Sequence, residues 1–203
     1  MKLQKIALLI FTFISFTTFS QTEKGKYLIG VSSNLNFNFD ANSAKGKSFS
    51  RDAGSSKEFS ISSEAGYAFK KNLFIGLTLT YGYSDIDDKD YGYESITNSI
   101  SASPFIKYYF SEKKIKPFLI ASYGLGAEKS RTRFIFGTNT FNTQKAKLTA
   151  LNFGGGLSYF FNKSVNVEFS LNYFRSTRDL DDQQNETYIT NRINSNIGFA
   201  IFL

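Results

Sequence analysis

Past residue 20 the chain is organised in period two. In 27–39 the odd positions are Tyr27, Ile29, Val31, Ser33, Leu35, Phe37 and Phe39, and the even ones are Leu28, Gly30, Ser32, Asn34, Asn36 and Asn38. Successive side chains of a strand point to opposite faces, so this spacing predicts one apolar and one small polar face. The alternation returns over 59–69, 73–83, 96–110, 117–128, 148–161, 165–175 and 189–203, which makes eight strands. No helical period is sustained, and no apolar stretch past the N-terminal segment reaches the length of a membrane helix.

The connections alternate as well. Residues 70–72, 111–116 and 162–164 are short, whereas 40–58, 84–95, 129–146 and 176–188 are long and polar. Short turns at one end and long loops at the other, joined by an even number of strands, are the pattern of an up-and-down transmembrane β-barrel with periplasmic turns and extracellular loops. The expected fold is therefore all-β, eight-stranded and antiparallel.

Alternation by itself also fits a soluble barrel of the lipocalin kind, which would bind a ligand in its centre. The type of polar residue separates the two. Water-facing strands carry many Lys and Glu, but here the polar face is mostly small: Gly66, Gly76, Thr78, Thr80, Ser99, Ser101, Gly124, Gly126, Gly154 and Gly156. Bulk sits on the other face, with Ile75, Leu77, Leu79, Ile106, Leu119, Leu125, Leu151, Phe153, Phe169 and Leu171. Small residues suit a crowded interior, and an outward bulky face needs a lipid solvent. Aromatics gather at strand ends, with Tyr67, Phe69, Tyr108, Phe110, Tyr159 and Phe161 beside the short turns. Phe37, Phe39, Phe59, Tyr81, Tyr83 and Tyr173 lie beside the long loops, as girdles at headgroup level would.

The N-terminus reads as an export signal. Lys2 and Lys5 flank an apolar run over 6–16, interrupted by Thr12 and Ser15, and Thr18-Phe19-Ser20 precedes a polar Gln21. Cleavage is expected after Ser20, leaving 21–203 as one domain; the run is too short for a membrane anchor. The chain has no Cys and no His, which excludes disulfides, thiolate and imidazole metal sites, a lipid-acceptor cysteine and imidazole-based catalysis. Its formal charge of +7 stays positive after the leader is removed, so anionic lipid and lipopolysaccharide are the expected partners, and nucleic acid is not.

Two prolines bear on the strand pattern. Pro117 opens its strand, but Pro104 lies within one, where the missing N–H predicts a bulge or a shortened strand.

The segment Ser103-Pro104-Phe105-Ile106-Lys107-Tyr108-Tyr109-Phe110, followed by Lys116-Pro117-Phe118 and Tyr123-Gly124-Leu125-Gly126, resembles the small outer-membrane β-barrel family abundant in Bacteroidota, broadly the OmpA/OmpX type and porin-family-like. The resemblance covers most of 21–203. It implies an outer-membrane barrel and supplies no catalytic residues. The end of the chain, Asn196-Ile197-Gly198-Phe199-Ala200-Ile201-Phe202-Leu203, looks like the signal read by the barrel-assembly machinery, with Asn196, Gly198, Ile201 and Leu203 in the diagnostic places. Ile201 and Leu203 stand where aromatics are usual.

By parity the interior holds Glu64, Lys107, Glu168 and Arg192, with Glu128 and Arg175 nearer the loop end. An eight-stranded barrel is just wide enough for side chains to fill it, so these charges should pair and plug the lumen, with Glu168 reaching Arg192 from the adjacent strand. The acidic run 85–90 fails as an EF-hand, because position six is Asp90 and position twelve is Ile96. Weak divalent binding with Asp179, Asp181 and Asp182 is the alternative to a solvated loop. Lys45, Lys47, Arg51 and Lys57 make the first long loop basic, and Lys129, Arg131, Arg133, Lys145 and Lys147 the third, where they could contact lipopolysaccharide phosphates. Alternation in Arg131-Thr132-Arg133-Phe134-Ile135-Phe136 also suggests strands that extend beyond the membrane. The expected function is a non-enzymatic envelope protein without a cofactor, structural or surface-binding; a narrow or gated pore is the alternative, and a lipid hydrolase or acyltransferase ranks below both.

Overall fold

A computed structural model describes residues 22–34, 43–46, 49–52, 55–88, 92–134, 140–180 and 187–203. Within them the strands are β1 (Tyr27–Asn34), β2 (Ser43–Gly46), β3 (Phe49–Asp52), β4 (Ser55–Lys70), β5 (Leu73–Asp88), β6 (Tyr93–Tyr109), β7 (Ile115–Phe134), β8 (Phe141–Phe160), β9 (Val165–Leu180) and β10 (Thr187–Phe202). Eight of these form one closed antiparallel barrel in the order β1-β10-β9-β8-β7-β6-β5-β4, and β2 with β3 makes a separate two-stranded hairpin.

Closure rests on β1. Its residues pair with β10 on one side, Leu28 opposite Phe202, and with β4 on the other, Tyr27 opposite Tyr67. Tyr27 and Leu203 exchange backbone hydrogen bonds of 3.0 and 2.9 Å. Along Tyr27–Asn34, the described part of this seam, no ladder edge is left to lipid, where an unpaired N–H or C=O would cost several kcal/mol (about 2–7 per group).

The strands run further than the apolar alternation. β7 and β8 are 20 residues each, about twice what a tilted strand needs to cross a bilayer. The connections expected to be long, 84–95, 129–146 and 176–188, shrink to 89–92, 135–140 and 181–186, and the remainder is strand. The physical reason is that ladder pairing does not require an apolar face. Where both faces become polar, the period-two signal of hydrophobicity fades while the backbone pairing continues. Of the first strand, 35–39 lie outside the described residues, as do Asp90, Asp181 and Asp182.

Pro104 produces neither a bulge nor a shortened strand. β6 pairs with β5 straight through it, Leu77 opposite Pro104, and keeps one register with β7 on both sides. Only the pairing of Ser103 and Pro104 with β7 is interrupted, so the missing N–H faces that ladder. A register shift does occur between Ala68 and Lys70, next to the β4–β5 turn. There Asn72 takes the left-handed conformation, φ 65°, that Asn tolerates better than most residues.

Side chains sort by parity. Outward positions are exposed and bulky: Leu77, Leu79, Ile100, Ile106, Leu125, Phe153, Leu171 and Phe199 among them. At the short-turn end Tyr27 packs at a tilt against Tyr67, and Tyr108 meets Phe110 and Tyr159 meets Phe161 edge to face, with ring centroids 5.3, 4.9 and 5.3 Å apart. Inside, Phe105 lies over two glycines of adjacent strands. A Cβ on Gly76 would come 2.6 Å from Phe105 Cζ and 2.2 Å from the Ala65 carbonyl oxygen. Gly76→Val should therefore lower unfolding stability in detergent by about 1–3 kcal/mol, the usual cost of overpacking, read by urea titration of the folded gel band. A stability equal to wild type would contradict this packing.

Candidate functional site

The centre of the barrel is built by strands that are not neighbours. β6 places Lys107 and Tyr109 inward, β4 places Glu64 and β9 places Glu168. The Lys107 ammonium bridges the lumen, 2.6 Å from Glu64 Oε1 and 3.0 Å from Glu168 Oε2. It is 2 % exposed, against 13 % and 12 % for the two carboxylates. Tyr109 donates its hydroxyl to Glu168 Oε1 at 2.5 Å, and Asn166 Nδ2 donates to the same oxygen at 3.0 Å. Asn166 also accepts from the Ala200 N–H at 3.0 Å, tying the network to β10. The ring of Phe118 lies 5.4 Å from Lys107 Nζ. Buried charges are tolerable in such a place because their hydrogen-bonding capacity is satisfied from several strands at once.

Toward the short-turn end the lumen is filled by inward aromatics. Phe74, Tyr109, Phe118, Phe160 and Phe202 pack together, with Phe160 and Phe202 centroids 5.1 Å apart and Phe74 edge-on to Tyr109 at 5.8 Å. The segment before β1 seals this end. Thr22 is fully buried, its hydroxyl donates to Asn72 Oδ1, and its carbonyl accepts the Asn72 N–H at 2.7 Å. Lys116 donates to Thr22 Oγ1 at 3.0 Å and sits 4.8 Å from the centre of the Phe160 ring. Outside the barrel wall, in the turns, Lys71 joins Glu23 and Glu112 at 3.4 and 2.5 Å, and its ammonium holds the Glu112 carboxyl below the usual carboxylate range.

Toward the other end the interior is polar and less filled. A cavity of about 300 Å³ stands on the Lys107 bridge and is walled by Ser62, Thr80, Ser101, Ser122, Asn152 and Asn172. Higher still, Arg178 Nε lies 2.7 Å from Glu128 Oε1.

The expected Glu168–Arg192 pair does not form. Glu168 is opposite Gly198 on β10, whereas Arg192 is opposite Phe174 and stands over that ring at 4.9 Å. Parity puts both side chains inward, but six residues of strand, about 20 Å, separate their levels. Glu168 takes its counter-charge from β6 across the lumen instead. Arg175 is also not inside: it is exposed on the outer face, and Arg178 of the inward parity is the partner of Glu128. In β10, Asn196 and Gly198 face inward, while Ile201 and, just past the strand's end, Leu203 are exposed. The acidic residues Asp85, Asp87 and Asp88 are on β5 and not in a loop, with Asp85 opposite Lys57. Among the described residues no group of acidic side chains is arranged to hold a metal ion.

The aromatic plug is the part that alternation missed. Its signal was present as runs that break the period at the short-turn ends, Tyr108-Tyr109-Phe110, Tyr159-Phe160-Phe161 and Ile201-Phe202-Leu203, where the middle residue must face inward.

A closed eight-stranded ring with bulk outside and charge inside places the molecule among membrane barrels, and the outer membrane protein beta-barrel domain model matches residues 6–200. The chain belongs to this outer-membrane barrel family. Its location is accordingly the outer membrane. Similar solved structures include a major outer membrane protein from Thermus thermophilus, at 11 % identity and TM-score 0.53 over 88 % of this chain and 99 % of that one. Another is Ail, the attachment invasion locus protein of Yersinia pestis, in complex with the heparin analogue sucrose octasulfate: 13 % identity, TM-score 0.50, 89 % of this chain and 99 % of that one. At such identities the likeness shows the shared fold. Among curated proteins none matches the chain.

Removing Lys107 from this barrel would leave two buried carboxylates facing each other. Lys107→Met should cost about 3–5 kcal/mol of unfolding stability in detergent micelles, whereas Arg192→Ala should change it by less than about 0.5 kcal/mol. Guanidinium titration followed by circular dichroism distinguishes the two; equal losses would contradict the assignment of the bridge to Lys107.

Proposed function

We propose that the protein is a non-enzymatic, non-conducting barrel that supports the outer membrane and presents its extended strands to surface partners. The observation that carries this is the blocked lumen: Lys107 spans it between Glu64 and Glu168, and Phe74, Tyr109, Phe118, Phe160 and Phe202 fill it below. A water path would have to cross a charge bridge and an apolar plug in succession, and desolvating an ion there is costly.

In this reading the short turns lie in the periplasm and the β7–β8 hairpin stands furthest outside, the orientation that an even strand count and export through the inner membrane require. Residues 1–20 are the leader, removed after Ser20. Asn196, Gly198, Ile201 and Leu203 form the signal for the barrel-assembly machinery, and outer-membrane lipid is the permanent partner. Glu64, Lys107 and Glu168 act as a stabilising clamp across the barrel, and no residue of the interior is assigned a catalytic role.

The polar cavity above Lys107 favours a second reading, a gated pore, in which the bridge swings aside. Planar-bilayer recording separates them. The wild-type protein should show no sustained conductance at neutral pH, and simultaneous replacement Lys107→Ser with Phe118→Ser and Phe160→Ser should raise the frequency of openings. Steady single-channel currents from the wild type would overturn the non-conducting reading and install the pore.

A further inference from the structure

Among the described residues, the outer face of the β7–β8 hairpin is where two basic side chains oppose each other directly across a ladder. On β7 the outward residues Pro117, Leu119, Ala121, Tyr123, Leu125 and Ala127 are uncharged, and Lys129 is the first charge. On β8 the corresponding row is Tyr159, Leu157, Gly155, Phe153, Leu151 and Thr149, and Lys147 is the first charge. At about 3.3 Å per residue and a tilt of about 40°, Pro117 to Lys129 rises about 30 Å, slightly more than the apolar band of such barrels. The first lysines therefore stand at headgroup level.

Near this level the other described outward charges are mixed: Asp87 faces Glu94 and Arg175 faces Leu151 and Asn191, whereas two basic residues have an acidic residue directly opposite. Lys57 faces Asp85 across β4–β5, and Arg133 faces Glu94 across β6–β7 with a 2.5 Å ion pair. On β7–β8, however, Lys129 is directly opposite Lys145. Arg131 and Lys147 flank them on the same outward, exposed face. Lys147 has Asp179 opposite it on β9, a carboxylate that also accepts the Thr187 hydroxyl at 2.7 Å, so Lys147 is the member of this group with a complement beside it. Among the described residues no carboxylate lies within ion-pair distance of Lys129, Arg131, Lys145 or Lys147. Like charges directly opposed in an antiparallel ladder are destabilising unless something anionic lies between them.

We propose that Lys129 and Lys145, with Arg131 and Lys147 at the margins, form a binding site for the phosphate of a phosphorylated lipid in the outer leaflet. A phosphate monoester brings up to two negative charges and three acceptor oxygens, enough to engage both ammonium groups. A lipid fits better than a soluble polyanion because the wall beneath is continuous and apolar: Tyr123, Leu125, Leu151 and Phe153 are exposed there and accommodate the acyl chains of the same molecule. The lipid is held at this level by its tails, so the site needs only to select the headgroup. The proposal rests on the outer-membrane barrel reading and on the long-strand end lying outside.

The test reconstitutes the chain in nanodiscs of phosphatidylcholine containing a minor fraction of either phosphatidic acid or phosphate-free diacylglycerol. Retained lipid is counted by native mass spectrometry, and folded-band mobility is checked on the same samples. The expected result is selective retention of phosphatidic acid, reduced about fivefold or more in K129T/K145T and unchanged in K57T, whose lysine already has Asp85 opposite. K145E, which gives Lys129 a complement, should lose retention as well, so the outcome does not depend on one variant folding. Equal retention of diacylglycerol, or wild-type retention in K129T/K145T and K145E, would overturn the site while leaving the barrel intact. A wild-type chain with no folded band would overturn the barrel reading itself.

Discussion

Every level of this structure depends on closing the backbone ladder. In a hydrocarbon solvent the chain has no water to satisfy an open edge, so each strand must find two neighbours and the last must return to the first. β1 meets that condition by pairing with both β10 and β4 along its described span. Once the ring is closed, the pleat assigns each residue to lipid or lumen without further choice. Bulk on odd positions of β7 and β9 becomes a membrane surface, and Gly, Ser and Asn on the even ones become an interior narrow enough to be filled.

That narrowness explains the chemistry inside. A lumen eight strands wide brings β4, β6 and β9 within one lysine length of each other, so Lys107 can satisfy Glu64 and Glu168 at the same time. The energetic asymmetry is characteristic of buried ions: the intact triad contributes modestly, whereas the two carboxylates without the lysine would be strongly unfavourable. The clamp thus favours one registration of the walls over others, and Tyr109, Asn166 and the Ala200 N–H extend that constraint to the closing strand. The same short-turn end is closed again by aromatic packing and by Thr22. The interior therefore changes from apolar and full to polar and partly open along one axis, with Lys107 at the boundary.

Much of this was legible in the amino-acid sequence, and the limits were physical. Parity is strictly two in a strand, so the faces of Glu64, Lys107, Leu125 and Phe153 could be read directly. Height along the barrel could not, because it depends on how far each strand is staggered against the next. Arg192 was on the right face and at the wrong level, and its presumed partner was satisfied from the far wall. Strand ends were legible in part: alternation over 131–136 already pointed to strands running past the membrane, and β7 does reach Phe134, but the full lengths were missed for a related reason. Beyond the membrane both faces of β7 and β8 turn polar, and hydrophobic alternation no longer marks pairing that the backbone still makes. The aromatic plug was hidden because Tyr109, Phe160 and Phe202 each sit between two outward apolar residues, where a continuous run conceals the inward member.

The central claim is that alternate residues of one strand face lipid and lumen. Because the chain has no native cysteine, single substitutions can be labelled without background. Leu125→Cys and Ser122→Cys on β7, carrying an environment-sensitive fluorophore in bilayers with a chain-attached quencher, measure the claim directly. The account expects strong quenching at position 125, whose side chain is 62 % exposed, and little at position 122, which lines the cavity. Weak quenching at both positions, or quenching at 122 alone, would contradict it.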